Sequence, residues 1–335
     1  MSQPTRSDVH VNAPLSNISV AYIQAQSNFI ADRAFPNVPV SKQSDRYYTY
    51  NRGDFNRDEM KERAPGTESA GSGYDLDNTP TYYAPVFAFH KDVADQIRAN
   101  SDSVLSPDRD ATIFVTQKAL IRRERAFFTR AFASTSWATK LEGVNASASA
   151  GEFLIWNDAN SDPIAEIRTG KRTVLENTGF EPNKIVLGKE VYDALVDHPD
   201  IIDRVKYGQT PGSPAMVNAQ ALAALFELDE VLVSKAVYNS AAKGATEAST
   251  FIGGNHALLI HTTSTPGLMV PSAGYTFSWN GQFGSSALGG RISNFRMENL
   301  KSDRIEIEMA FDHKIVASDL GYFFENATDY ATTVS

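Results

Sequence analysis

Cysteine is absent from this 335-residue chain, which excludes disulfide staples and thiolate metal sites and is compatible with a reducing compartment. No run approaches the roughly 18 apolar residues of a membrane span, and the polar opening Met1 to Leu15 lacks the apolar segment of a signal peptide. Positive charge is in deficit: 40 acidic residues against 31 basic give a net charge of −9. That balance argues against a broad nucleic-acid-binding surface, which needs concentrated Lys and Arg, and leaves only local basic faces. Repeats of solenoid period and long low-complexity tracts are missing too. So are Gly-x-Ser-x-Gly, a phosphate-binding Gly-rich loop ending in Lys-Ser/Thr, and His-Glu-x-x-His.

What is present can fill a sizeable interior, at 42% hydrophobic and 10% aromatic residues, and the length points to two domains. Little of that interior can come from the first hundred residues. Met1 to Asn28 is polar, with Val9, Val11, Ile18, Val20, Tyr22 and Ile23 scattered along it, and reads as an extended arm whose last third suits a short helix. Phe29 to Val40 carries apolar anchors interrupted by Pro36 and Pro39, the pattern of an extended stretch pinned onto a domain. Asp45 to Phe55 and Thr79 to Phe89 then read as the legs of a hairpin, with Tyr48 and Tyr50 on one and Tyr83, Phe87 and Phe89 on the other. Its charged tip, Arg57 to Asp77, holds Gly71 and Gly73 and is long for a compact domain. A lone two-stranded arm does not offset its own ordering entropy, so these residues are expected to contact neighbouring copies in an assembly.

The longest helical pattern runs from about Asp108 to Ala133. Its expected apolar stripe is Ile113, Leu120 and Phe127 alongside Phe114, Ile121 and Phe128, with Lys118, Arg122, Arg125 and Thr129 opposite. Glu124 falls inside the stripe and therefore needs a cationic or donor partner. After a Ser/Ala/Gly loop from Gly143 to Gly151, an α/β section follows. Gly151 to Trp156 reads as a strand, and Asp162-Pro163 caps a helix that stops at Gly179. Lys184 to Leu187 reads as a strand, Lys189 to Asp197 and Ala215 to Phe226 as helices, and Glu230 to Tyr238 and Phe251 to His261 as strands. Arg304 to Phe311 alternates cleanly, burying Ile305, Ile307, Met309 and Phe311 and exposing Glu306 and Glu308.

The candidate chemistry is thin. Asp158-x-Asn160-x-Asp162 has calcium-loop spacing, but Pro163 stands where glycine is needed and Thr169 where the bidentate Glu belongs, so it reads as a capping loop. His256 and His261, five apart on an apparent strand, point to opposite faces and do not chelate one metal. Gly71-Ser-Gly73 and Gly284 to Gly290 are turns, and Glu306/Glu308 and Asp58/Glu59 are solvated or locally paired. No catalytic, cofactor or metal residue is assigned, because no constellation converges.

This succession resembles the major capsid proteins of tailed bacteriophages, the Hong Kong 97-type shell fold, over nearly the full length. The parts match in order: an N-terminal arm, the Phe35-Pro-x-Val-Pro-Val40 anchor, an extended loop, a spine helix, then Trp156-Asn-Asp, Thr178-Gly-Phe-Glu-Pro-Asn-Lys-Ile-Val-Leu187 and Val191-Tyr-Asp-Ala-Leu195-x-x-His-Pro199, and closing strands from Ile292 to Phe324. The resemblance implies an α+β fold with an arm (1–28), an E-loop hairpin (45–89), and a discontinuous P-domain (29–44, 90–157, 275–318) holding the spine helix. A central A-domain (158–274) and a closing strand (319–328) complete it. It implies a self-assembling head protein whose hexamers and pentamers form an icosahedral shell around double-stranded DNA, made in the host cytoplasm, with no cofactor and no membrane. Expected partners are further copies, a portal, a decoration protein and a separate scaffold, the arm being too short for a built-in scaffolding region. Tyr48, Tyr50, Arg52, Arg57, Lys61, Arg63, Val9, Val11 and Ile18 are the expected inter-subunit contacts. Some relatives lock their shells by a Lys–Asn isopeptide bond, but beside Lys61 and Lys91 no matched asparagine or activating carboxylate is identified, so no crosslink is predicted. The rival readings are a cellular encapsulin-like compartment of the same fold and, more remotely, a small-oligomer enzyme with a pocket.

Overall fold

The computed structural model describes residues 23–101, 105–207, 217–267, 269–283 and 290–329. In chain order the elements begin with α1 (Ala31–Ala34), β1 (Asn37–Val40), β2 (Ser44–Arg46), β3 (Thr49–Tyr50), α2 (Arg52–Phe55), β4 (Leu76–Asp77), β5 (Thr81–Tyr83), β6 (Val86–Ala94), α3 (Asp95–Ala99) and α4 (Pro107–Ala131). They continue through β7 (Thr139–Val144), β8 (Glu152–Leu154), α5 (Pro163–Thr178), β9 (Lys184–Gly188), α6 (Lys189–Asp197), α7 (Pro199–Tyr207), α8 (Ala219–Phe226), β10 (Glu230–Ser234), β11 (Val237–Asn239) and β12 (Ser249–Phe251). Last come β13 (Ala257–Ile260), β14 (Gly274–Trp279), α9 (Asn280–Phe283), β15 (Gly290–Met297), β16 (Ser302–Ile315) and β17 (Gly321–Glu325).

A six-stranded mixed sheet, ordered β10-β9-β13-β17-β7-β8, is covered on both faces, which is why its central strands are apolar runs rather than alternations. One face sends Ile185, Leu187, Leu259 and Phe324 against Ile167 and Val174 of α5, Val191 and Leu195 of α6 and Leu222 of α8. The other sends Val186, Leu258, Ile260 and Phe323 against Ile30, Phe35, Trp137 and the end of α4 at Phe127, Phe128 and Ala131. Helix α5 keeps its expected ends: the Asp162 carboxylate accepts the Ala165 N–H at 2.9 Å and Gly179 closes it at φ 80°, a left-handed conformation that glycine adopts without strain.

The second sheet runs β1-β14-β16-β15, with β6 paired to the first half of β16. Helix α4 lies across β16 and β6, joining the two sheets along one axis. The Phe35 anchor is held tightly, its ring meeting the Phe127 ring edge-on at 5.1 Å. Gly274 opposite leaves it room, for a Cβ there would stand 2.5 Å from the ring.

Three expectations are corrected. The buried face of α4 is not the heptad stripe of large residues in its first half: Ala111, Val115 and Ala119 are buried while Ile113 and Phe114 are 37% and 44% exposed. Small side chains let the helix approach the β6-β16 pleat closely, and the large ones are turned outward. The second hairpin leg stops at Tyr83, because Val86 to Ala94 leaves to pair antiparallel with β16, Phe89 opposite Ile307. The expected single strands at 230–238 and 251–261 are each broken, into β10 and β11 and into β12 and β13. Gly253 and Gly254 make the second break at a close approach, a Cβ on facing Gly188 being placed 1.8 Å from the Gly254 carbonyl. Strand β7 and helix α7 are additions to the sequence reading, and 215–216 of the expected helix lie outside the described residues.

Candidate functional site

The loop between β2 and β5 is two short antiparallel ladders, β2 with β5 and β3 with β4, closed by the single turn α2. Its root is fastened to its own subunit. Tyr82 and Tyr47 stack on Phe277 of β14 with ring centroids 4.5 and 5.9 Å away, the Tyr82 hydroxyl donates to the Lys42 carbonyl, and Arg52 pairs with Asp319. Beyond the root the loop organises itself locally. Asn51 caps α2 by accepting the Gly53 N–H at 3.1 Å, Asp54 accepts the Asp75 N–H at 2.9 Å, and Arg57 reaches Glu59 at 3.2 Å. The rings of Tyr50, Phe55 and Tyr74 gather at centroid separations of 5.5 to 5.8 Å and remain exposed. Every residue from Met60 to Thr79 is exposed.

Of the expected contact residues, the structure therefore gathers Tyr50, Arg52 and Arg57 about α2, while Tyr48, Lys61 and Arg63 stand exposed, Arg63 donating to the nearby Thr67 carbonyl. Val9, Val11 and Ile18 lie outside the described residues.

Glu124 marks where three segments of the chain meet. It is 1% exposed, and its oxygens accept the Ile30 N–H, the Ala31 N–H and the Ser234 hydroxyl at 3.0 to 3.2 Å. Helix α4 is thereby tied to the segment before β1 and to the end of β10. Burial pushes the carboxyl up to about 7, against the pull of its three donors. The donor cluster is main-chain N–H and a hydroxyl; the adjacent guanidinium, Arg123, is turned to Asp32 and the Phe311 ring instead. Next to it His313 is buried, its Nδ1 2.9 Å from Thr276 Oγ1 and its Nε2 3.3 Å from the Arg123 carbonyl. Burial, reinforced by the Arg123 charge, lowers its pKa to about 3 and keeps it neutral. Sequence reasoning had no signal for the Arg123 and His313 contacts, since their partners are 91 and 37 residues away in the chain.

Other buried polar groups are structural. Ser161 and His198 approach to 3.1 Å, but His198 Nδ1 accepts the Asp200 N–H, so Nε2 carries the proton and has no lone pair with which to activate the hydroxyl. The Lys171 ammonium donates to the Phe226 and Glu227 carbonyls, closing the end of α8. Burial also raises Glu166 to about 7 although it accepts the Trp156 indole N–H. His256 and His261 flank β13, bonded to the Asn326 N–H and the Glu181 carbonyl. No metal-binding group of His, Asp and Glu occurs among the described residues, nor a helix long and apolar enough to cross a membrane.

Residues 155–273, most of the α/β section, match the family "Phage major capsid protein E". The major capsid protein of Pseudomonas phage JBD67 is 27% identical over 95% of this chain and 97% of its own length, and that of Burkholderia phage BcepMu is 24% identical over 93% and 95%. Among solved structures, a phage-related protein from Bordetella bronchiseptica RB50 superposes with a TM-score of 0.67 at 22% identity, covering 91% of this chain and 94% of that one. The mature capsid of bacteriophage PhiM1 gives 0.58 at 13% identity over 95% and 92%. The SrpI encapsulin of Synechococcus elongatus PCC 7942 gives 0.57 at 12% identity over 95% and 96%, and so shares the fold. The matched section, the full-length relatives and the common architecture agree: the chain is similar to phage major capsid proteins over nearly its whole length and has the Hong Kong 97-type shell fold.

Proposed function

We propose that copies of this chain close into an icosahedral shell of hexamers and pentamers around packaged double-stranded DNA, assembling in the host cytoplasm with a separate scaffold and a portal, and that the chain itself catalyses nothing. The observation that carries this reading is the loop: an aromatic-bearing projection exposed from Met60 to Thr79 has no cover among the described residues of its own subunit, and such a projection is stabilised by burial against neighbours. A structural role is further supported by the buried Ser161–His198 pair, whose protonation pattern leaves it inert. The phage reading is favoured over a cellular compartment by the two full-length phage relatives. Electron microscopy of the expressed protein, alone and with the co-expressed scaffold, tests it: closed shells are expected, and small oligomers under both conditions would refute it. Nucleic acid in shells filled in the infected host, rather than a protein cargo, separates a head from a compartment.

A further inference from the structure

A cavity of about 740 Å³ opens beside the last turns of α4, a volume suited to an organic ligand. Phe128 and Phe132 of α4, Ile155 after β8, and Phe251 and Ile252 at the end of β12 give it an apolar lining. Its polar lining is made by Arg125, the turn from Gly253 to His256, and the residues between Glu325 and Asp329 that leave β17. Three parts of the fold that are distant in sequence therefore meet around one space.

The acids of this lining are spent elsewhere, and its donors are not. Glu325 accepts the Ser134 hydroxyl at 2.9 Å and the Lys140 ammonium at 3.2 Å, and Asp329 accepts the Asn157 amide at 2.6 Å. Arg125 has no carboxylate partner among the described residues; its guanidinium lies over the Tyr238 ring, 4.2 Å from the centroid. A ring face steadies a cation while leaving its N–H groups free. His256 Nδ1 accepts the Asn326 N–H at 2.9 Å, so Nε2 carries the proton, and that N–H has no acceptor among the described residues. The hydroxyl of buried Thr328 is also without a partner. A guanidinium and an imidazole N–H left unused beside an aromatic lining match an anionic head on an apolar body, because charge-assisted bonds reward the head and removal from water rewards the body.

We propose that this cavity binds a carboxylate carried on an aromatic or aliphatic stem, the carboxylate bonding to Arg125 and the His256 Nε2–H and the stem lying against Phe128, Phe132 and Phe251. The planar guanidinium fork fits a carboxylate at two points. The same head and stem occur in a free organic acid and in an acidic side chain beside an apolar residue of a partner's peptide. Either source ties α4 to the segment after β17, so an occupied subunit melts higher than an empty one. The site is independent of the shell reading, since its ligand acts on a single subunit.

Calorimetry on the full chain with isosteric probes tests the proposal. 3-Phenylpropionate is expected to bind saturably, and 3-phenylpropionamide, which lacks the charge, and acetate, which lacks the stem, at least about tenfold more weakly. In the unassembled chain the acid should shift the methyl resonances of Ile155 and Ile252, which line the cavity. Arg125→Gln should weaken the acid about tenfold and leave the amide unchanged, a selectivity that a general loosening of the fold does not produce; melting of the variant without ligand confirms that it is folded. Tighter binding of acetyl-Leu-Glu-Phe-amide than of the free acid would assign the site to a partner's peptide, and the reverse order to a small organic acid, both in keeping with the proposal. An acid that fails to saturate, that binds no better than its amide, that ignores Arg125→Gln or that leaves both methyl signals in place overturns it. So does tighter binding of 3-phenylpropylamine than of the acid, which would mean that Glu325 and Asp329 set the charge of the site.

Discussion

Glu124 is a carboxylate stripped of water and repaid by three donors from two distant segments, so its effects should be large and pH-dependent. Replacing it by Leu leaves the Ile30 and Ala31 N–H groups and the Ser234 hydroxyl buried without their acceptor, and a loss of about 3 kcal/mol is expected in denaturant unfolding. A Leu variant that melts with the parent would mean those donors are satisfied elsewhere. The sign of the pH effect follows from its pKa, raised from 4.5 to about 7 by burial. The folded state holds the proton more tightly than the unfolded state, so this contribution is complete below pH 4.5 and is lost as pH rises through 7. Glu166 acts in the same direction over the same window. His313, lowered from 6.5 to about 3, acts oppositely: its contribution is complete above pH 6.5 and fades as pH falls toward 3. Glu124→Gln does not titrate, so between pH 4.5 and 7 the parent should lose stability relative to the Gln variant. Parallel stability curves for the two proteins would contradict the raised pKa.

At the scale of the element, α4 shows what the sequence pattern conveys and what it omits. Large residues at 113, 114, 120, 121, 127 and 128 gave the heptad reading, and periodicity ranks positions by hydrophobicity alone. Packing on a sheet selects closeness instead, so Ala111, Val115 and Ala119 face β6 and β16, and the first two large residues are left outward. Ala119→Leu is therefore expected to destabilise the subunit by about 1–3 kcal/mol through overpacking, while Phe114→Ser leaves subunit melting within about 0.5 kcal/mol of the parent and lowers shell yield. The reverse ranking would restore the stripe first inferred. Signals confined to a few adjacent residues were legible: the Asp162-Pro163 start and Gly179 stop of α5, the alternation of β16, and the misfit of Glu124 all follow from local geometry. Partnerships across the chain were not, since nothing local tells Val86 to Ala94 that β16 lies beside it, and no spacing rule links Glu124 to Ile30. The loop was legible as a projection, and limited proteolysis gives its test: unassembled subunits should be cut between about Arg57 and Asp77 while shells resist, and equal protection in both states would show that the tip has no neighbour.

At the scale of the whole molecule, the described structure separates what a subunit keeps for itself from what remains for others. From Gln24 onward the chain belongs to its own fold: the Gln24 amide donates to the Val237 carbonyl and accepts the Val237 N–H, and Ile30, Ala31, Ala34 and Phe35 are buried in the core beneath α4. After Met1, the preceding residues 2–22 offer Val9, Val11, Leu15, Ile18, Val20 and Tyr22 as their larger apolar side chains, a density too low for a domain core and suited to strapping across a neighbouring surface. A chain shortened to begin at Ile23 is thus expected to remain soluble, with an unchanged circular-dichroism spectrum and a melting temperature close to the parent's, because no core contact among the described residues is removed. Its particles should be fewer, or should dissociate at lower denaturant concentration, because what is lost is area between copies. Starting instead at about Asn37 removes Ile30, Phe35 and the two main-chain donors to Glu124 together, and that shorter chain should fail to fold. Unfolding of the Ile23 chain would place the leader in its own subunit's core, and normal, equally resistant shells would leave it without a part in assembly.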